Sequence, residues 1–433
     1  MKKLITLLLV LTGMVSTAMA DDVYTVVGEN LGDGTDLNWT ESNHYGDMTL
    51  SSGTTYTKTF KAVKFTSTKT FKFKVIKNHS YSAGEWPSGY GTGDTHVYDA
   101  GVYDITITFD SSNGNRTLSD VGRNYIVYSV DNFTTHTVGN LMDYEDGVHT
   151  GTITGNDGYR FVIIPSWDLN SDQTAISSWS HSICPPDGSN YDLYFQHMSG
   201  GTKTNNNQKW YIKETATYTI TYNGSKNTFE TDAEKTVSIN SAAGWATFSS
   251  GIDGLGQGYT VTGGDAYYIS SKGVDKAILT HIAAGAKIPT YPNGIMLKKI
   301  GGGDVVIKTT ASSDVTLTGN MLQGSGRYAD WNLNNVGYTG YYLNNGSNGL
   351  GFYPAEKGNM SPYKAFFRVP NSSGSRTFFS FGEDDETTGL EAVDVNPETV
   401  KEGVREYYNL NGQRVMNPTK GLYIVNGKKV IIK

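Results

Sequence analysis

The 433-residue sequence has a single cysteine, Cys184, so no intrachain disulfide can form. A buried small side chain accounts for Cys184 more simply than a reactive thiol does. Charged residues are only 18% of the chain, the net charge is -7, and Lys and Arg form no cluster, which argues against nucleic acid as a partner. Past the first residues no run is apolar and long enough to span a membrane as a helix, so no transmembrane segment is expected. The chain has no nucleophile elbow, no zinc signature and no Walker loop, since Gly301-Gly302-Gly303 lacks the Lys and Ser/Thr that would follow. Its eight histidines are scattered without ligand spacing. The expectation is a protein without catalytic activity, metal or cofactor.

What is abundant is glycine, at 51, and tyrosine, at 29, alongside many Thr, Ser and Asn. That is the composition of an all-β exported protein. The chain opens with Lys2 and Lys3, an apolar Leu4–Leu11 core and the small-residue site Ala18-Met19-Ala20. This reads as a secretory signal over residues 1–20, cleaved after Ala20, with no lipidatable cysteine behind it. A secreted or outer-surface location is therefore expected. The length predicts two to four domains.

The rest of the chain is organised around Phe71–Tyr81. Phe71, Phe73 and Val75 alternate with Lys72, Lys74 and Ile76, the period of a strand with its aromatics on one face. The strand then breaks into Lys77, Asn78, His79, Ser80 and Tyr81, with Trp86 and Tyr90 in the following Gly/Ser/Pro segment. Short strands with a turn signal every ten residues or so predict a β-sandwich of the immunoglobulin-like kind over residues 21–121. Residues 122–233 repeat the plan. YIVYS answers YTVVG, YRFVIIPSW answers FKFKVIKNH, and TATYTITYNGSKNTFET answers AGVYDITITFDSSNGNRTLS. This diverged copy carries a long Trp-rich insertion and replaces Lys77-Asn78 with Pro165-Ser166. Residues 234–391 change to a further β-rich style and include a charged EDDETT linker near their end. Residues 404–433 form a short β element with Asn411-Gly412 and Asn426-Gly427 turns.

The motifs YTVVGENLGDG with Trp39, DMTLSSGTTYTKTF, FKFKVIKNHSY and AGVYDITITFD resemble the tandem starch-binding modules of gut-bacterial starch-utilisation outer-surface proteins and related amylase-associated carbohydrate-binding modules. Gly-Trp-Ala-Thr-Phe, Pro-Asn-Gly-Ile-Met-Leu and Lys364-Ala365-Phe366 resemble a scaffold-like β-rich module found late in exported Bacteroidetes proteins. NLNGQRV, KGLYIV and the basic-apolar terminus resemble the end of type IX secretion sorting domains.

A sugar ring offers an apolar C–H face to an aromatic side chain and a polar rim to Lys, Asn, His or Asp. The candidate carbohydrate-binding residues on that chemistry are Trp39, Lys77, Asn78, His79, Tyr81 and Trp86. The resemblance implies starch or a related α-glucan as the ligand and other outer-surface glycan-uptake proteins as partners. The alternative is a structural or adhesive surface protein without a glycan site. Rings pointing into different cores would favour that alternative. Asp33 and Asp36, in a Gly-rich loop, suit turn caps better than a calcium site.

Overall fold

The computed structural model describes residues 22–34, 37–186, 191–240, 243–251, 256–327, 331–332, 337–355, 359–374, 376–383, 390–392, 407–409, 413–416, 418–425 and 428–432. The expected signal segment, Asp36, residues 384–388 of the acidic linker and both C-terminal Asn-Gly pairs lie outside them. Among the described residues there is no α-helix. Strands alternate with turns and three short 3-10 helices, at His44–Gly46, Ser166–Asp168 and Asn371–Ser373, so the chain is all-β.

Period-two alternation builds the first module from eight strands. They are β1 (Tyr24–Glu29), β2 (Thr49–Ser52), β3 (Thr55–Phe65), β4 (Lys69–Lys77), β5 (Ser80–Trp86), β6 (Asp94–Tyr98), β7 (Gly101–Asp110) and β8 (Asn115–Gly122). One antiparallel sheet runs β1-β4-β5, with β6 pairing the first half of β4, and the other runs β2-β3-β7-β8. Phe71, Phe73 and Val75 of β4 face Phe60, Phe65, Ile105, Ile107 and Phe109 of the second sheet across one buried core. The sandwich therefore has the inward face that the FKFKV alternation predicts. Lys72 and Lys74 are left on the other side of β4.

The second module repeats the frame with β9 (Asn124–Ser129), β10 (Thr137–Leu141), β11 (Asp143–Glu145), β12 (Val148–Gly155) and β13 (Arg160–Pro165). β9 pairs antiparallel with β13 as β1 does with β4. At the Pro165-Ser166 substitution the frame diverges. Pro165 has no N–H to continue the ladder, and the chain enters the 3-10 turn Ser166–Asp168 instead of a hairpin. The insertion packs onto the frame, where Leu169 and Cys184 share a small core with Val127 of β9 and Val162 and Ile164 of β13. Cys184 is fully buried, and burial raises its thiol pKa. Trp210 is buried between Phe161 and Phe229.

The chain divides into two compact units, and both modules belong to the first, which takes the described residues through Tyr194 and Ser199–Thr231. Polar contacts clasp the modules. The buried Arg123 donates from Nη1 to Asp104 Oδ1 at 2.8 Å and from Nε to the Met142 carbonyl at 2.9 Å, and the same Asp104 oxygen accepts the Ala62 N–H at 2.6 Å. Ser166 Oγ accepts from the Val102 N–H at 2.8 Å and donates to its carbonyl at 3.0 Å. Arg123, Asp104, Met142, Val102 and Ser166 are all buried, so these bonds satisfy donors and acceptors that water does not reach.

The second unit comprises Phe195–Met198 and the described residues from Asp232 onward. Two of its sheets share a core. Tyr267, Ile269, Leu279 and Met296 of one face Leu322, Tyr341, Phe352 and Phe367 of the other. The three motifs singled out in this region meet here. Thr247 Oγ1 accepts the Ala365 N–H at 3.3 Å, and a Cβ at Gly294 would collide with that of Ala365. They specify a close sheet-to-sheet approach. Near the C-terminus, Lys428–Ile432 pairs antiparallel with Gly421–Val425 and parallel with Leu390–Ala392.

Candidate functional site

The outward face of β4 and the strand beside it carry a pocket of the first module. It encloses about 660 Å³ and is lined by Glu29, Trp39, Lys72, Lys74, Tyr81, Glu85, Tyr90, Gly91 and Thr92. Such a volume is ordinary for a small-ligand site.

Local chain geometry explains how the rings arrive there. Asn78 and His79 have φ of 50° and 52°, the paired left-handed residues of a two-residue hairpin turn between β4 and β5. Lys77 pairs with Ser80, but Ile76 pairs with Glu85, so Tyr81–Gly84 bulge out of register. The bulge releases Tyr81 from the ladder. Its N–H donates to Glu41 Oε1 at 2.6 Å, and its hydroxyl donates to the Trp39 carbonyl at 2.9 Å. Burial, then the charges of Glu41 and Glu85, raise the Tyr81 phenol pKa, so it stays protonated and donating. Trp39 itself has φ +50°, a costly conformation for a bulky residue. It is held there by the Tyr81 bond and by its own N–H on the Gly28 carbonyl at 3.1 Å.

The opposite wall is the 87–92 segment. Lys72 Nζ donates to the Gly91 carbonyl at 2.7 Å, and Lys74 Nζ donates to the Gly89 carbonyl at 2.6 Å. Lys74 also pairs with Glu85 at 2.6 Å, while Glu85 accepts the Gly89 N–H at 2.7 Å. The Lys74 hydrogen bond, then that N–H, hold the Glu85 carboxyl below the usual range. Each ammonium also stands over a ring, Lys72 at 6.0 Å from Trp39 and Lys74 at 6.0 Å from Tyr81. Tyr90 projects fully exposed from the tip.

Of the six candidate residues, the structure brings together Trp39 and Tyr81. His79 lines a neighbouring depression of about 720 Å³ that Trp39 and Tyr81 also border, and the other three lie elsewhere. Lys77 is paired with Asp22 at 2.7 Å, and Asn78 accepts the Val23 N–H at 2.9 Å. His79 sits against the Glu41 carbonyl at 2.9 Å and Asp47 at 3.3 Å. Trp86 faces the opposite side from Glu85 and packs into the sandwich core, 5.0 Å from Phe109 and 6.0 Å from Tyr24. The polar cluster after the strand makes the turn and ties it down. Lys72, Lys74 and Glu85 were missed as pocket residues, and the signal for the two lysines was the lysine phase of FKFKV, one residue out from the aromatics.

A correction concerns the histidines. His44, Asp47 and His79 do converge, with one potential ligand atom from each within 4.8 Å of the others. His79 lies too far along the chain from the other two for spacing to reveal it. Asp33 acts as a cap, accepting the Thr66 N–H and the Lys69 ammonium at 2.6 Å each.

The second unit has a larger depression, about 990 Å³, lined in part by Trp245, Tyr342, Asn344, Asn345 and Tyr353. Trp245 is committed to packing, 5.3 Å from Tyr267 and 5.1 Å from Phe381. We therefore place the candidate site in the first module, where rings and fixed charges meet. No protein-family model matches the chain, and no curated protein matches it.

Proposed function

We propose that this is an exported, non-catalytic carbohydrate-binding protein that holds an α-glucan such as starch between Trp39, Tyr81 and Tyr90. The observation that carries the reading is the pocket's combination of aromatic rings with two lysines and two glutamates. Those charges balance, which suits a neutral polyhydroxylated ligand better than a charged one. Two stacked rings covering roughly 100 to 150 Å² contribute about 3 kcal/mol. Each hydrogen bond adds about 1 kcal/mol, and association costs at least several kcal/mol. The surplus corresponds to a weak site, about millimolar to high micromolar. Weak single sites work when several lie on one polymer or one surface, which is where other glycan-uptake proteins enter as partners.

The reading of a structural or adhesive surface protein draws on Trp86, whose ring faces the core. Affinity electrophoresis of the full chain through gels containing amylopectin or cellulose separates the two. Retardation by amylopectin alone, abolished by Trp39→Ala, supports the glucan site. Unretarded migration in both gels supports the structural reading.

A further inference from the structure

We propose that His44, Asp47 and His79 form a binding site for one zinc ion. This is independent of the glycan reading. The site lies beneath the loop that carries Trp39, at the start of the hairpin that carries Tyr81.

Three observations support it. The first is distance. His44 Nδ1 lies 2.9 Å from Asp47 Oδ2, and His79 Nε2 lies 3.3 Å from Asp47 Oδ1. Ligand atoms on a tetrahedral zinc with bonds near 2.1 Å stand about 3.4 Å apart. The remaining histidine-to-histidine span is within 4.8 Å, and the two rings already meet edge to face with centroids 4.2 Å apart. The second is protonation. The Glu41 carbonyl can only accept, so His79 Nδ1, 2.9 Å away, carries the proton. In the neutral ring Nε2 then turns a lone pair toward Asp47 Oδ1, which already accepts the Thr25 hydroxyl at 2.6 Å. In that tautomer Nε2 is the ring atom that a metal beside Asp47 would take. The third is the outer shell. A ring N–H on a main-chain carbonyl and a hydroxyl on the ligating carboxylate are the supports that orient zinc ligands. Both are present here, and Thr25 is completely buried.

The donor set is two imidazoles and one carboxylate, with a fourth position open to water. It matches zinc and offers too few oxygens for calcium or magnesium. Lys58, whose charge interacts with Asp47, keeps its ammonium over the rings of Tyr45 and Phe60, 5.1 and 5.4 Å from their centroids. That positive charge opposes a cation at Asp47 and weakens its binding. Zinc here would strengthen the junction of the 44–47 segment with the β4–β5 turn, which the His79–Asp47 contact and the edge-on packing of His44 against His79 already make.

The test is competition for Zn²⁺ between a chromophoric chelator and the full, tag-free chain. The expected result is one equivalent bound, a higher thermal midpoint with zinc, and no effect of Ca²⁺ or Mg²⁺. His44→Ala, an exposed change that leaves the fold intact, should weaken binding by at least roughly 10- to 100-fold and cancel the thermal shift. Asp47→Asn should do the same. Absence of zinc binding would overturn the proposal. So would equal stoichiometry and affinity in the wild type and in His44→Ala, because the zinc would then sit on other histidines. Neither readout involves a glycan, so failure here leaves the glucan reading untouched.

Discussion

The Tyr81 hydroxyl donates a 2.9 Å hydrogen bond to the main-chain oxygen of Trp39. One candidate ring thus holds the backbone of the other, and holds it where a bulky side chain is least comfortable, at φ +50°. The pocket depends on this bond more than the sandwich does. Tyr81→Phe keeps the ring and removes one hydrogen bond of about 1 kcal/mol. Amylopectin affinity should fall about fivefold in affinity electrophoresis, while the thermal midpoint stays within about a degree or two of wild type.

The two tryptophans should separate cleanly. Trp39 is half-buried at the pocket wall, so Trp39→Ala removes roughly 1 to 2 kcal/mol of binding and little stability. Trp86 is packed on Tyr24 and Phe109, and a Cβ at Gly114 would collide with its ring. Trp86 is partly buried, so Trp86→Ala should cost about 1 to 2 kcal/mol of folding free energy through the packing it loses. Urea melts and gel retardation on both variants decide the matter. A stable Trp86→Ala protein with lost binding would return Trp86 to the site.

How much of this was legible depends on range along the chain. The alternation of Phe71, Phe73 and Val75 with the lysines is local, so the strand, its buried face and the sandwich were readable. The lysines were visible too, but as solvent-facing filler, because nothing local says that the 87–92 segment folds back onto them. Trp86 misled because it neighbours Pro87 and Gly89, which mark a loop, whereas strand phase turns its ring inward. His79 reads as a ligand-facing donor until residues 41 and 47 arrive from far along the chain. The turn at Asn78 and His79 was hidden by composition, since neither is glycine, yet both adopt positive φ.

Arg123 should be the residue on which the two modules depend most. It and Asp104 are both buried, with side chains only 5% and 6% exposed, and their partners are main-chain groups of both modules. Arg123→Met leaves Asp104 charged without its cation, a loss of about 3 to 5 kcal/mol. The double change Arg123→Met with Asp104→Leu should recover part of that, since no orphaned charge remains. A urea-midpoint cycle on the four proteins measures it. If Arg123→Met alone costs under about 1 kcal/mol, water reaches the site and the clasp is weak.

His149 makes the first unit sensitive to mild acid. It lies in β12 with its ring 4.8 Å from Tyr144 and 6.0 Å from Tyr222, and its Nδ1 is buried without a hydrogen-bond partner. Burial, and then the positive charge of Arg123, lower its pKa to about 4, against an opposing pull from Asp104. The unfolded chain takes up a proton near pH 6.5, and the native protein refuses it until about pH 4. Stability from this residue is therefore full above pH 6.5 and declines as the pH falls, by about 2 kcal/mol between pH 7 and pH 5. Carboxylates contribute little over that interval, so the slope belongs largely to histidine. His149→Phe keeps a flat ring among the tyrosines and has no proton to gain. The difference in urea midpoint between wild type and His149→Phe, followed from pH 7.5 to pH 5, should shift steadily in favour of the variant. A constant difference across that range would mean that His149 takes up its proton at the same pH in the native and unfolded chains, and a shift in favour of wild type would mean that the native ring is held charged.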